Sequence, residues 1–178
     1  DFMKIVRIFA DQLHLFAFCF EGEKMNELRR LLTLWNDTAY LFEFVTNNKS
    51  DVPKDVPIRT LVFQLIEDAN DIDDTIIEIS SNPKRSLEEF FKPLDNQEYH
   101  FVELSKQKGR KNYLRLFAIK IDNNCFVITG GAIKFHHLNK DRPHTQKEMQ
   151  KINRCRDYLK DNGVFDADSF YEFLNEQK

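Results

Sequence analysis

The chain has 178 residues, 42% hydrophobic and 31% charged, which fits one ordinary domain and excludes a compositionally disordered chain. Cys19, Cys125 and Cys155 are odd in number and far apart, which excludes a disulfide framework or a paired-cysteine zinc site and reads as buried, reduced thiols of a cytoplasmic protein. The net charge of −3 hides a gradient: residues 1–100 hold 19 acids and 11 bases, whereas residues 101–178 hold 10 acids and 15 bases.

Residues 3–9 alternate apolar and polar side chains and predict a strand; residues 13–20 predict a second, together forming an N-terminal hairpin. The uncharged run from Gln12 to Phe20 is nine residues long, too short for a membrane span of roughly 20. From about Lys24 the period becomes helical, carried by Leu28, Leu31, Leu32, Trp35, Ala39, Leu41, Phe42 and Val45. Residues 47–57 are a loop by composition. Residues 58–79 form a second helical stretch with one apolar stripe and an acidic outer face. That face lacks the Gly and terminal Glu of a calcium loop at the required spacing and reads as a solvated helix surface. Ser86-Leu87-Glu88-Glu89 is a capping box that opens a short helix, ended by Pro93.

The second half turns to strands at 99–104, 113–121 and 125–133, with Asp122-Asn123-Asn124 as a tight antiparallel connection between the last two. Thr145-Gln146-Lys147-Glu148 is a second capping box, which begins a helix stopped near Gly163, and a short helix follows Asp166. The expected fold is α+β in one domain: N-terminal strands over 1–22, a helical region over 23–95, then an antiparallel β-meander with C-terminal helices over 96–178. Gly130-Gly131 opens no helix and predicts a bulge or a close backbone approach.

Residues 104–160 hold 14 bases and 4 acids, the kind of local imbalance that suits a polyanionic partner. Lys106, Lys108 and Arg110 alternate and project to one face if a strand continues through them. Arg115 lies inside an apolar strand, where it needs water, a carboxylate or a phosphate. Lys134, His136, His137, Lys140, Arg142 and His144 follow the third strand and cluster at one end of the sheet. Convergent Lys and Arg with nearby His suit a phosphodiester: cations neutralise phosphates, Arg stabilises the transition state, and Lys or His moves protons. That chemistry requires no metal and no cofactor.

The run KQKGRKNYLRLFAIKIDNNCFVITGGAIK, followed by RPHTQKEMQKINRCRDYL, resembles the RelE/HigB superfamily of bacterial toxin–antitoxin toxins, in particular its phage-derived HigB-like branch, over residues 104–160. The resemblance implies a RelE-like fold and an mRNA-cleaving toxin, often ribosome-dependent, held in check by a small helix-turn-helix antitoxin. It implies that Lys106 and Lys108 bind RNA or act as base. Arg115 would stabilise the transition-state phosphate, and His136 or His137 would act as acid. Arg110, Lys111, Lys134, Lys140, Arg142 and His144 would hold backbone phosphates. Two other readings stand beside it: a non-catalytic module that uses the basic sheet face to bind RNA or an acidic protein, and a stand-alone protein whose acidic first half shields its basic second half.

Overall fold

The computed structural model describes residues 3–9, 14–94, 101–104, 112–135 and 143–177, and it is α+β. Six strands form one mixed sheet in the order β1-β2-β6-β5-β4-β3: β1 Lys4–Arg7, β2 His14–Cys19, β3 Phe91–Pro93, β4 Phe101–Leu104, β5 Leu114–Asp122 and β6 Cys125–Ile133. The predicted N-terminal hairpin is present, with Lys4 opposite Cys19. It does not stand apart from the meander, however: β2 pairs in parallel with β6, from His14↔Cys125 to Ala17↔Ile128.

The sheet is buried on both faces, and the alternation of its side chains decides which helices lie where. Leu15, Ala17, Leu116, Ala118, Phe126 and Ile128 face α1 (Glu27–Leu34), α2 (Thr38–Asn47) and α3 (Ile58–Ser81). Phe16, Phe18, Phe117, Ile119 and Val127 face α4 (Pro143–Asp161) and α5 (Ala167–Glu176). Phe16, Phe18, Phe117 and Phe126 are essentially fully enclosed, each contributing about 1.5–3 kcal/mol by removal from water. Many of the chain's 17 Phe serve this three-layer core.

Four local expectations are corrected. The helical pattern after Lys24 is two helices, because Asp37 accepts a hydrogen bond from the Tyr40 N–H (3.1 Å) and starts α2 afresh. Ser86 caps only the 3-10 turn Leu87–Glu89, receiving the Glu88 N–H. Pro93 does not end a helix; it sits in β3, on the outer edge of the sheet, where a missing N–H is tolerated. The helix expected from Thr145 begins at Pro143, whose fixed φ and absent N–H suit a first helical position.

The Asn123-Asn124 connection is as expected, with Asn124 in the left-handed region at φ 57°. Gly130-Gly131 is both things the sequence suggested. The β5–β6 register slips beside it, and a Cβ at Gly131 would lie 2.4 Å from the Arg115 carbonyl oxygen and 2.9 Å from the Trp35 ring. Cys125 and Cys155 are buried, whereas Cys19 is half-buried. Burial pushes the Cys125 thiol up to about 12 and raises that of Cys155 as well, so neither is a nucleophile.

Among the described residues no helix is long and apolar enough to cross a membrane.

Candidate nucleic-acid interface

The strand registers bring the flanks of both basic runs to one end of the sheet. Glu103 pairs with Phe117, and Leu114 pairs with Ile133. One further bond, from the Lys134 N–H to the Tyr113 carbonyl (2.6 Å), extends the β5–β6 ladder past Ile133. The chain therefore leaves β4 at Leu104, re-enters β5 through Asn112, and departs again after Phe135, all near the same end. Lys106, Lys108, Arg110 and Lys111 fall in the first intervening stretch, His136, His137, Lys140 and Arg142 in the second; all eight lie outside the described residues. His144 lies in the first turn of α4.

Arg115 is described, and it is only 8% exposed. Its parity along β5 matches Phe117, so it points to the side covered by α4 and α5. Its Nη1 donates to the carbonyls of Asn112 (2.6 Å) and Leu114 (3.0 Å). Burial lowers its pKa, and the nearby Glu103 carboxylate opposes that shift. Backbone carbonyls thus supply the partners that a strand-centre Arg was expected to seek in water, a carboxylate or a phosphate. Their effect is to pin the entry of β5 next to the first basic run.

Four aromatic rings, which the sequence reading did not single out, line the same end. Tyr40 and Phe44 are one helical turn apart on α2, with ring centroids 6.2 Å apart. Phe44 is 6.2 Å from Phe135, and Phe135 is 5.2 Å from Tyr113. All four are half-buried, so each offers a ring edge or face at the surface. The signal available in the sequence was an aromatic at the last position before each basic run enters or leaves the sheet, Tyr113 and Phe135.

A charged cleft of about 810 Å³ opens beside this row, between α1, α4 and the turn after β2, within the usual range for ligand sites. Its anchor is Glu27, fully buried at the first position of α1. Glu27 is held bidentately by Arg30, through Nε (2.5 Å) and Nη2 (2.9 Å), and also by Lys151 from α4. The hydrogen bond to Glu27 raises the Arg30 pKa. Lys151 also lies 4.9 Å over the Phe20 ring and 3.5 Å from Glu148 Oε2. That oxygen is buried, and its partner is the Lys151 ammonium in a long ion pair. Burial raises the Glu148 pKa. Gly130 is what makes room here: a Cβ on it would lie 2.4 Å from Glu148 Oε2.

The cleft is not itself a polyanion channel. Its walls carry Glu21, Glu23, Glu27, Glu148, Asp157 and Asp161 against Arg30, Lys147, Lys151 and Arg154, and Glu27 already engages two of those cations. The excess of positive charge lies instead in the two basic runs of the sequence, outside the described residues. Comparison of the chain with protein-family models, curated proteins and solved structures finds no match.

Proposed function

We propose that this chain is an RNA-binding protein of the RelE/HigB-like kind, acting on single-stranded RNA in the cytoplasm. The observation that carries the reading is the Leu114↔Ile133 pairing with its extension to Lys134 and Tyr113. It gathers the exits of two basic runs beside a row of four aromatic rings. Basic side chains neutralise the phosphates of a flexible strand and aromatic faces stack its bases, a combination that favours single strands over duplexes. An acidic protein partner would use the charges but has no need of the rings.

Cleavage of the bound RNA is the second reading, favoured by the resemblance of residues 104–160 to mRNA-cutting toxins. In that reaction a 2′-hydroxyl oxygen attacks the adjacent phosphorus, the bond to the 5′ oxygen breaks, and one basic group takes a proton while another returns one to the leaving oxygen. A 5′-labelled single-stranded RNA incubated with the purified protein separates the readings. A shifted band of intact RNA supports binding alone. A shifted band accompanied by fragments ending in a 2′,3′-cyclic phosphate supports the nuclease. RNA that neither shifts nor breaks contradicts both.

A further inference from the structure

The other end of the sheet carries a cluster that the RNA-binding reading does not use. β1 ends at Arg7, β2 begins at His14 and β6 begins at Cys125, and the registers Arg7↔Phe16 and His14↔Cys125 set these residues side by side. Strand alternation turns Arg7, His14, Phe16 and Cys125 to the face covered by α5, which carries Tyr171. The Tyr171 hydroxyl is the hub. It is hydrogen-bonded to His14 Nδ1, and Arg7 and Cys125 reach the same hydroxyl. Phe16 braces the group: the Arg7 guanidinium lies over its ring, 4.9 Å from the centroid, and the Tyr171 ring meets it edge-on at 6.2 Å. Arg7 is exposed and His14 and Tyr171 are half-buried, so the cluster opens to solvent.

The hydrogens of this network follow from the groups themselves. A guanidinium only donates, so Tyr171 accepts from Arg7. Burial raises the Tyr171 pKa, and the hydroxyl keeps its own proton. That proton goes to His14 Nδ1, because an imidazole nitrogen is a far better acceptor than a thiol. Neutral His14 therefore carries its hydrogen on Nε2, as protonated His14 also does. The cluster thus presents two donors from separate strands, Arg7 and His14 Nε2. None of the ion pairs among the described residues includes either of them. Asp122, whose charge reaches Cys125, is already engaged by the N–H groups of Asn123 (2.8 Å) and Ala167 (3.1 Å). We propose that Arg7, His14 and Tyr171 form a binding site for a phosphate group, with Arg7 and His14 donating to its oxygens and Tyr171 holding both in place. The oxygens of a phosphate point apart and can meet donors from separate strands, whereas the two of a carboxylate share one plane. Charge-assisted bonds from Arg to such oxygens are among the stronger contacts a surface makes. The length of β6 separates this site from the basic runs, so it stands or falls apart from the RNA-binding reading.

The test follows the His14 imidazole by NMR while the parent protein is titrated with inorganic phosphate, with acetate and sodium chloride at matched ionic strength beside it. The chain has five His, and His14→Gln identifies the signal by its loss. Phosphate should shift the His14 signal saturably, with chloride and acetate at least about tenfold weaker. Arg7→Gln should weaken phosphate binding by about tenfold or more, since it removes a charge-assisted contact. Tyr171→Phe should weaken it as well although both donors remain, because they lose their common anchor. Arg29→Gln, on α1 across the sheet, should leave it unchanged. Circular dichroism confirms that each variant is folded. Glycerol phosphate and a single-stranded oligouridine then separate the sources of the phosphate. A His14 response to glycerol phosphate alone assigns the site to a small phosphorylated ligand, and a response to both extends it to an RNA backbone. A His14 signal that ignores phosphate, responds equally to acetate or chloride, or responds as strongly in Arg7→Gln overturns the site and leaves the RNA-binding reading untouched.

Discussion

The two halves of β6 are built differently. From Cys125 to Ile128 the strand is flanked by β2 and β5 and covered on both faces by Phe, Leu and Ile, a dry environment in which even a thiol is inert. From Gly130 to Ile133 only β5 is paired to it among the described residues. The small cavity beside Gly131, Ala132 and Ile133 is lined by Arg30 and Glu148 together with Trp35, Tyr40 and Phe44. One strand thus lies between two neighbours at one end and borders a small cavity at the other. The change follows from where β2 stops, and the two glycines let Trp35, Leu31, Glu148 and Lys151 pack close against the strand.

The largest expected effect comes from breaking the charged cluster at its anchor. Glu27 is fully buried between Arg30 and Lys151, and removing one member of such a cluster leaves cations without compensation, at about 3–5 kcal/mol. Glu27→Gln should therefore lower the melting temperature by roughly 10 °C. Glu88→Gln, which breaks the exposed pair with Lys120 (3.0 Å), should cost about 1 kcal/mol or less. Calorimetry of both variants checks the contrast, and equal losses would mean that the buried cluster has no special role.

The next effect separates the two glycines. Gly131→Ala drives a methyl against the backbone oxygen of Arg115 and the Trp35 ring, neither of which can swing away. Gly130→Ala meets the ends of Glu148 and Lys151, two side chains that can move. Overpacking of this kind costs about 1–3 kcal/mol, with Gly131→Ala at the upper end and Gly130→Ala below it. Chemical denaturation gives the order directly; the reverse order would contradict the placement of the two faces.

A smaller effect is pH-dependent. Burial holds the Glu148 carboxyl above its ordinary value of about 4.3, although Lys151 and Arg30 pull it down, while Glu27 adds to the rise. The folded protein therefore binds this proton more tightly than the unfolded chain. Its stabilising contribution is complete below the ordinary value and is lost as pH rises through the raised one. Glu148→Gln should accordingly gain stability relative to the parent between about pH 4 and neutrality. A stability difference that does not change with pH would show that Glu148 is not desolvated.

Most of the architecture was legible in the residues. The period change after Lys24, the Asn-Asn turn at 123–124 and the Gly163 stop each follow from local chemistry, and each is present. The parallel β2–β6 pairing was not legible, because it joins segments more than 100 positions apart and nothing in residues 14–19 specifies a distant partner. The split of the first helical pattern was signalled by Asn36-Asp37, whose capping tendency was outweighed by the apolar periodicity around it. The basic runs were visible as charge, but that the described residues flanking them, Asn112 and Phe135, come to one end of the sheet was not. The Glu27 cluster escaped notice because an acid at the start of a helix ordinarily faces solvent; only the arrival of α4, carrying Lys151, reveals that this one does not. Arg115 was picked out for its unusual place, and its backbone partners could not be read from side-chain pattern alone.

The most direct test of the central claim is the affinity of the protein for a labelled single-stranded RNA as a function of salt. If the two basic runs neutralise about four phosphates, binding should weaken by roughly fifty-fold between about 50 and 200 mM salt, on a straight line in log–log form. Affinity that does not vary with salt, or no affinity at low salt for a folded protein, would contradict an RNA-binding role for the basic end of the sheet.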